Sequence, residues 1–488
     1  MKRRSIFLII LICLVILYVI AHILANQKLN SWIEKQEYVT VEKAKLNLLM
    51  GNLNVKGAKI SHEQYTTDTS TVEGIRVKGF SIVDYLLSDE INIDDIELQD
   101  AKLFLSQQAK SDTSNQRKRI FNISNINLES VDLSLQSDKF DLQAYLGSAY
   151  LSDLTNTDKF QFKDISFSLK DVSYKPKNGP HGFLTDKLEL NSRDRQLLVD
   201  DFIIQPKCSV EEWPICHPNK QGRSTYKVGS IIGKLDTTKK LFSGVFLEEL
   251  VLSEGLFELY SYQQMEPKDL PKTFFMEKFD GLDIPIDIPI IEVKNHTVRA
   301  LLKADRVDTI SFNQLYSTIT NVTNIPEKVK ANNVIKAKTL SKFMDTKLSV
   351  DFDFKIKDSL NTYAFKLDLE PMPFTNLNKA LNYNTPFIIE DGLLQQLDCA
   401  VNGNALTSNG ECTVAYDDLS IVVENKKGKK KKFFTRVLNF IVKDGTSKTE
   451  SIEPVSYRYA LERDENKDFF FQAYTIILQI IRETMLPV

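Results

Sequence analysis

The chain has 488 residues with 62 basic and 65 acidic side chains, and its net charge of −3 gives no reason to expect a nucleic-acid partner or a strongly acidic substrate. Phenylalanine and tyrosine are plentiful whereas glycine and histidine are few, which favours aromatic-rich strands over glycine-looped nucleotide sites. Length alone allows about two to four domains.

The N-terminus predicts a membrane anchor. The basic residues of MKRR precede an apolar segment, 6–25, which as a helix is about 30 Å long and matches the hydrocarbon core of a bilayer. The positive cluster should stay in the cytoplasm, so the rest of the chain is exported. A signal peptide cleaved near Val19-Ile20-Ala21 is the alternative, although its apolar stretch is normally shorter.

After the anchor, apolar residues recur in alternating steps of two and three, a spacing that fits neither a helix nor a plain strand. The segments 91–105, 121–135 and 245–259 share this spacing, and shorter versions follow elsewhere. We interpret each three-residue step as one extra residue, in a β-bulge or a tight turn, that keeps the apolar side chains on one face. A leucine-rich-repeat solenoid fits the local spacing but not the uneven intervals between the copies.

These segments predict a mainly β fold, a long curved antiparallel sheet of roughly 20–25 strands with one apolar face. Pro285 and Pro289 predict that their strand lies at an edge of the sheet. Short helices are expected at 81–89 and 375–382. The predicted organisation is a cytoplasmic stub and anchor at 1–25, β repeats at 26–335, a C-terminal β module at 336–423, and a basic loop with amphipathic helices at 424–488.

The C-terminal segment has two features of its own. The lysine run 424–432 is either a solvated loop or a contact with anionic headgroups of the membrane. The segments 433–442 and 469–486 have helical amphipathic spacing, and the second carries its polar residues in one narrow stripe. We expect that helix to dock on the apolar face of the sheet, with a membrane-surface helix as the alternative.

Four cysteines follow the anchor, as expected for a chain in an oxidising compartment. Cys208 and Cys216 flank a short loop and are the candidate disulfide. If 402–404 turns a hairpin, Cys399 lies opposite Thr407 and Cys412 points to the other face. Because a disulfide needs Cα atoms within about 7 Å, we expect a bond in the first pair only.

No catalytic constellation is evident in the sequence. The five histidines have no two-ligand metal spacing, and WPICH lacks the first cysteine of a haem attachment motif. Glycine-rich phosphate loops and nucleophile elbows are not found. We therefore expect no enzymatic activity, metal site or cofactor.

Residues 368–421 resemble the C-terminal module of AsmA-like proteins. The resemblance depends on a strand that leads into a proline and a Leu-Asn helix start, followed by a Gly-led strand pair that ends on Asp-Leu. The matching positions are Pro373, Leu377, Asn378, Gly392, Gly410, Asp418 and Leu419. The order of anchor, strand pair at 48–60 and segment 79–103 is also similar to that family.

The resemblance implies a taco-shaped β-groove lined by aliphatic and aromatic side chains. From the apolar spacing we place these residues on the lipid-binding face: Ile93, Ile96, Leu98, Ile123, Ile126, Leu128, Leu247, Leu250, Leu252, Phe352 and Phe354. Together with the predicted anchor, the resemblance implies a single-pass protein of the bacterial inner membrane, with its N-terminus in the cytoplasm and most of the chain in the periplasm. It is expected to bind and transfer phospholipids, with an outer-membrane or envelope protein as a further partner and no nucleic acid.

Two alternatives remain at this stage. A non-enzymatic envelope scaffold fits the same sequence if the sheet is sealed by its own helices. The Asn-x-Ser/Thr triplets at Asn122, Asn295 and Asn321 also fit an endoplasmic-reticulum lumen.

Overall fold

The structure, a computed structural model, describes residues 2–36, 39–61, 69–81, 84, 90–107, 120–156, 160–218, 222–262, 275–303, 307–378, 387–423 and 454–463. The chain is mainly β, and 20 strands join one mixed sheet. Each strand pairs with a neighbour in sequence, as in a meander. The strands are β1 Val39–Asn47, β2 Asn52–Ser61, β3 Thr69–Lys78, β4 Glu90–Gln107, β5 Ile120–Ser137, β6 Phe140–Thr155, β7 Asp164–Pro176, β8 His181–Asn191, β9 Gln196–Pro206, β10 Gly222–Leu235, β11 Val245–Tyr262, β12 Ile286–Lys303, β13 Val307–Thr323, β14 Val334–Phe343, β15 Thr346–Lys355, β16 Tyr363–Leu369, β17 Met372–Pro373, β18 Phe387–Gly403, β19 Thr407–Val423 and β20 Val455–Glu462.

The sheet is not purely antiparallel, and this part of the prediction was wrong. β4 pairs with β5 in parallel, and so does β11 with β12. In the first pair, the two copies of the sequence repeat lie side by side, with Ile93 beside Ile123, Ile96 beside Ile126 and Leu98 beside Leu128. Parallel strands need a connection that returns to the end of the sheet where the first strand began, and the segments 108–119 and 263–285 lie between these partners in the sequence.

The three-residue steps are matched between neighbouring strands. The residue left out of the Cα pairing in one strand lies opposite the residue left out in the next. These residues are Glu73 in β3, Asp100 in β4, Ser130 in β5 and Gly147 in β6, and the register is the same on both sides of them. Asp100 and Ser130 have positive φ, a conformation that interrupts the alternation of side chains between the two faces. From β3 to β6 the extra residue therefore keeps the apolar side chains on one face and faces an equivalent residue of the neighbouring strand. The pairs β6–β7 and β12–β13, in contrast, have the register shifts of a β-bulge.

The predicted edge strand is central. β12 pairs with β11 on one side and β13 on the other. Pro289 is not paired with a residue of either neighbouring strand. On the β11 side the pairing is interrupted between Asp287 and Ile291, and on the β13 side between Ile288 and Ile290. A proline can therefore occupy a central strand without removing a ladder hydrogen bond.

The structure contains two disulfides, one more than predicted. Cys208 and Cys216 are joined with Cα atoms 6.7 Å apart, and Cys399 and Cys412 with Cα atoms 4.1 Å apart. The expectation for the second pair was wrong because it placed the turn at 402–404. Gly403 is in fact paired with Ser408, so the turn lies between them and Cys399 faces Cys412 directly.

The described helices are few. A helix spans Lys2–Glu34, and short helices lie at Trp213–Cys216, Phe275–Asp280 and Pro326–Ala331. A 3₁₀ turn at Phe374–Leu377 occupies the start of the helix predicted at 375–382. Within the described residues, no helix was found that combines the length and apolar character needed to cross a membrane.

Several predicted features lie outside the described residues. They are the helix at 81–89, apart from Ser81 and Asp84, the lysine run 424–432 and the C-terminal helices 433–442 and 469–486. The segment 424–488 also contains β20, a strand that the sequence analysis missed.

The chain divides into two compact units, Met1–Asp201 and Phe202–Val488. The division falls inside β9, within the segment 26–335 that the sequence analysis treated as continuous. Unit 1 contains a small buried cluster of Ala58, Val72, Ala101, Val131 and Leu146. Unit 2 contains a much larger one that includes the fully buried rings of Tyr363, Phe374 and Tyr416.

Candidate functional site

The candidate site in unit 1 is the apolar side of β1–β8, here called the unit 1 face. Residues that are paired across neighbouring strands lie on the same side of a sheet. They form three apolar rows at right angles to the strands. The rows are Leu46–Leu53–Val77–Ile96–Ile126–Leu151–Ile165, Val55–Ile75–Leu98–Leu128–Ala149–Phe167–Leu190 and Val41–Ala58–Val72–Ala101–Val131–Leu146–Leu169–Leu188.

The unit 1 face is graded in burial. Val131, in the row of small side chains, is 0% exposed, whereas Leu98 and Leu128 in the next row are half-buried. Leu105, farther along β4 on the same face, is 53% exposed. The side chains that pack on this cluster in the described residues all belong to strands of the same sheet.

Charged residues occupy the opposite side of the same strands. Glu97, between Ile96 and Leu98, accepts hydrogen bonds from Lys78 and from Arg76, whose Nη1 lies 2.8 Å from the carboxylate. The hydrogen bond from Lys78 is the main reason that the pKa of Glu97 lies below its usual value. Alternation along each strand thus separates an ionic surface from the unit 1 face.

Unit 2 has an apolar side of the same kind, here called the unit 2 face. One row runs Gly233–Leu250–Ile291–Ile319–Ala337–Phe352–Phe365–Val401, and a second runs Ile231–Leu252–Val293–Ser317–Thr339–Val350–Leu367–Cys399–Cys412–Tyr457. The hydroxyls of Ser317 and Thr339 lie 2.9 Å apart and form a hydrogen bond with each other, which allows two polar side chains in an otherwise apolar row.

The unit 2 face is more enclosed than the unit 1 face. Leu247 is buried, and Phe352 and Phe354 pack against the buried cluster with ring centroids 5.5 Å apart. Met276, from the helix Phe275–Asp280, also lies in that cluster. Asp353, between the two phenylalanines, points to the opposite side, where its carboxylate lies 3.6 Å from Lys336.

Seven of the eleven predicted lipid-binding residues lie in these rows: Ile96, Leu98, Ile126, Leu128, Leu250, Leu252 and Phe352. The other four are outside the rows: Phe354 stacks on Phe352, Ile93 is paired with Ile123, and Leu247 is paired with Leu235. The structure brings Ile93, Ile96 and Leu98 directly beside Ile123, Ile126 and Leu128. It also joins Leu250 to the row of Phe352, and Leu252 to the neighbouring row. Whether these side chains contact a ligand stays a prediction.

Sequence analysis missed most of the partner residues in the rows. β2 and β3 have the same steps of two and three, at Val55, Ala58, Val72 and Ile75, but their alanine and glycine content weakened the signal. The spacing alone could have found them.

A buried polar group on the unit 2 face also escaped notice. His296 is 5% exposed, and its Nε2 lies 3.1 Å from the hydroxyl of Tyr226 across β11. Its Nδ1 lies 3.1 Å from the carbonyl oxygen of Lys294, so a proton on Nδ1 leaves Nε2 to accept from Tyr226. Burial lowers the pKa of His296, which agrees with a neutral ring. Gly255 makes room for it, because a Cβ at this position would lie 1.9 Å from Cδ2 of the ring.

The residues that carry the AsmA-like resemblance have local structural roles. Asn378 pairs with the backbone of β18 through bonds of 2.7 and 2.8 Å to Ile389. Gly392 has φ +127°, and a Cβ there would lie 2.9 Å from Cα of Leu419 and 3.1 Å from the ring of Phe374. These contacts explain an asparagine and a glycine in this segment without a ligand.

Within the described residues, no cluster of three or more His, Cys, Asp or Glu side chains could hold a metal ion. No protein-family model matches the sequence, and a search of curated proteins finds no significant match. The AsmA-like resemblance therefore remains a prediction.

Proposed function

We propose that this chain is a membrane-anchored protein that binds phospholipid-like molecules and moves them along its apolar faces in the cell envelope. The observation that carries the proposal is the continuity of the apolar rows of unit 1, each of which crosses at least seven consecutive strands between β1 and β8. An acyl chain that leaves water gains about 0.8 kcal/mol per buried CH₂ group, while the headgroup stays at the polar rim.

The dimensions of the unit 1 face suit this ligand. Seven strands at about 4.8 Å spacing give rows of about 29 Å, roughly twice the depth of one leaflet of a bilayer core. A single chain can therefore take several positions of similar free energy along a row. Movement of the lipid then requires no catalytic residue, which agrees with the absence of a catalytic motif in the sequence. A taco-shaped groove and a location in the bacterial inner membrane and periplasm are part of this proposal.

Lipid analysis of the full-length chain tests the proposal. The protein is exported, extracted in mild detergent, and analysed by mass spectrometry for bound lipid. Leu128→Asp places a charge on the unit 1 face, whereas Asn127→Asp places the same side chain on the opposite side of β5. We expect lipid content to fall several-fold in the first variant and to stay unchanged in the second.

A second variant separates loss of lipid from loss of fold. Leu105 is already half exposed, so Leu105→Asp should leave the β circular-dichroism signal intact while it lowers the lipid content. Equal lipid content in wild type and in both face variants would refute the proposal.

A non-enzymatic envelope scaffold is the second candidate, and the closed cluster of unit 2 favours it. Tyr363, Phe374 and Tyr416 are fully buried, as expected for a sealed core. If the whole apolar surface is sealed, the folded protein carries no lipid, and Phe352→Asp only destabilises unit 2. The ring of Phe352 lies 5.6 Å from that of Phe365, so the new charge would be forced into a packed aromatic contact.

A further inference from the structure

Among the turns of unit 1 that the structure describes, the turn between β1 and β2 has the most exposed apolar side chains. Leu49 is 76% exposed and Met50 is 64% exposed. The side-chain oxygen of Asn47 accepts hydrogen bonds from the backbone N–H groups of both, at 3.1 and 3.2 Å. The turn is therefore ordered, and its exposed side chains are held in place by the backbone.

Two side chains of the N-terminal helix connect the turn to the apolar segment 6–25. Asn26 donates to the carbonyl oxygen of Leu46 and accepts from its N–H, both at 2.8 Å. The hydroxyl of Tyr18 donates to Asn47 at 3.4 Å. Tyr18 precedes Asn26 by eight residues, about 12 Å along the helix axis. The end of β1 thus runs toward the N-terminus of the helix and brings the turn alongside the second half of 6–25.

Positive charge lies directly behind the turn. Lys43, Lys45 and Lys56 are exposed on the side opposite the unit 1 face, and Lys43 is paired directly with Lys56. Like charges opposite each other on a sheet are destabilising. In the described part of the chain, no ion pair compensates these three lysines, so an external anion is the natural partner.

We propose that the turn 48–51 inserts into the leaflet that surrounds the apolar segment 6–25, with Lys43, Lys45 and Lys56 at its anionic headgroups. This rests on the membrane anchor of the proposed function and adds the entry point for lipid. The row that begins at Leu46 and Leu53 starts immediately behind the turn. The unit 1 face then opens directly onto the acyl chains of that leaflet.

Depth-dependent fluorescence quenching tests the insertion. The full chain, with Cys13→Ser to remove the cysteine outside the disulfides, is reconstituted in phosphatidylethanolamine vesicles with one quarter phosphatidylglycerol. An environment-sensitive dye is attached through Met50→Cys, and nitroxide-labelled lipids serve as quenchers. Ile20→Cys in the helix is the positive control, and Asn178→Cys in the polar turn after β7 is the matched turn control.

We expect strong quenching at positions 20 and 50 and little at 178. Quenching at 20 but not at 50 would overturn the inserted turn while leaving the anchor intact. No quenching at 20 would overturn the membrane anchor of the proposed function and this inference with it. Equal quenching at 50 and 178 would indicate general adsorption and would also overturn it.

The role of the lysines has its own test. A lysine near an anionic surface changes the binding equilibrium by about fivefold. Lys43→Gln/Lys45→Gln/Lys56→Gln should therefore shift insertion at position 50 by up to about a hundredfold in the phosphatidylglycerol vesicles, with no change in vesicles of phosphatidylcholine alone. The same loss in both kinds of vesicle would refute the headgroup contact.

Discussion

Gly255 has a specific packing role that a single methyl group can test. Gly255→Ala would place a Cβ 1.9 Å from Cδ2 and 2.0 Å from Nε2 of His296, so the imidazole must leave its position over β11. The ring then loses its hydrogen bonds to Tyr226 and to the carbonyl of Lys294. Two such bonds contribute about 2 kcal/mol together, and overpacking adds at least about 1 kcal/mol. We expect local destabilisation of about 3 kcal/mol.

Native-state hydrogen exchange is the appropriate assay, because it reports the local opening free energy of β10–β12 without assuming two-state unfolding of a two-unit chain. A loss of 3 kcal/mol corresponds to exchange roughly a hundredfold faster for peptides of these strands. Gly74→Ala is the matched control, since no atom lies within 4 Å of a Cβ built at that strand glycine. It should be neutral or stabilising by about 0.5 kcal/mol.

The double variant Gly255→Ala/His296→Ala completes the comparison. If the clash with the ring is the cause, the added methyl should cost nothing once the ring is removed, so the double variant should match His296→Ala. Exchange in Gly255→Ala as slow as in wild type would refute the packing argument.

Two further predictions concern titration and redox state. Burial lowers the pKa of His296 in the folded state, so below about pH 6.5 the unfolded state binds more protons than the folded state. The stability of the protein should therefore fall as the pH decreases through that value. The protection factors of β12 should show this pH dependence in wild type and lose it in His296→Gln. Cys412 is 0% exposed whereas Cys216 is exposed, so mild reductant followed by alkylation should label Cys208 and Cys216 first. Labelling of Cys399 and Cys412 before the other pair would contradict this reasoning. Replacing Cys399 and Cys412 by alanine should lower the stability by about 3 kcal/mol through chain entropy alone, measured by the same exchange assay.

The β class and the membership of the apolar faces could be predicted because both depend on local spacing. Ile93, Ile96 and Leu98 share a face whichever strand lies beside them, since the extra residue is part of the same segment. The direction of the neighbouring strand is not a local property. A return connection at 108–119 looks like any polar loop in the sequence, so the parallel pairing of β4 with β5 could not be anticipated.

The predicted register of β18 and β19 was also wrong, because one misplaced turn changes every residue pair of the hairpin. Placing the turn at 402–404 shifted every pair of β18 and β19, and moved Cys412 away from Cys399. The true turn uses Asn404, whose side-chain oxygen accepts from the N–H groups of Leu406 and Thr407. The Asn-Gly pattern at 402–403 is a common hairpin signal and suggested a turn at 402–404. Asn404 gives a second turn signal, because its side chain can accept the hydrogen bonds that begin a turn, and the structure has the turn at this asparagine.

The contrast between the two units decides where lipid contact should be sought. A fully buried aromatic ring on a sheet requires atoms above it, and unit 2 provides them around Tyr363, Phe374 and Tyr416. The buried cluster of unit 1 contains only aliphatic side chains, with half-buried leucines and phenylalanine beside it. Rearranging that surface for an acyl chain displaces few packed atoms, whereas opening unit 2 would break its core. We therefore assign the proposed lipid contact to unit 1, so that Leu128→Asp should reduce bound lipid and Phe352→Asp should mainly reduce stability.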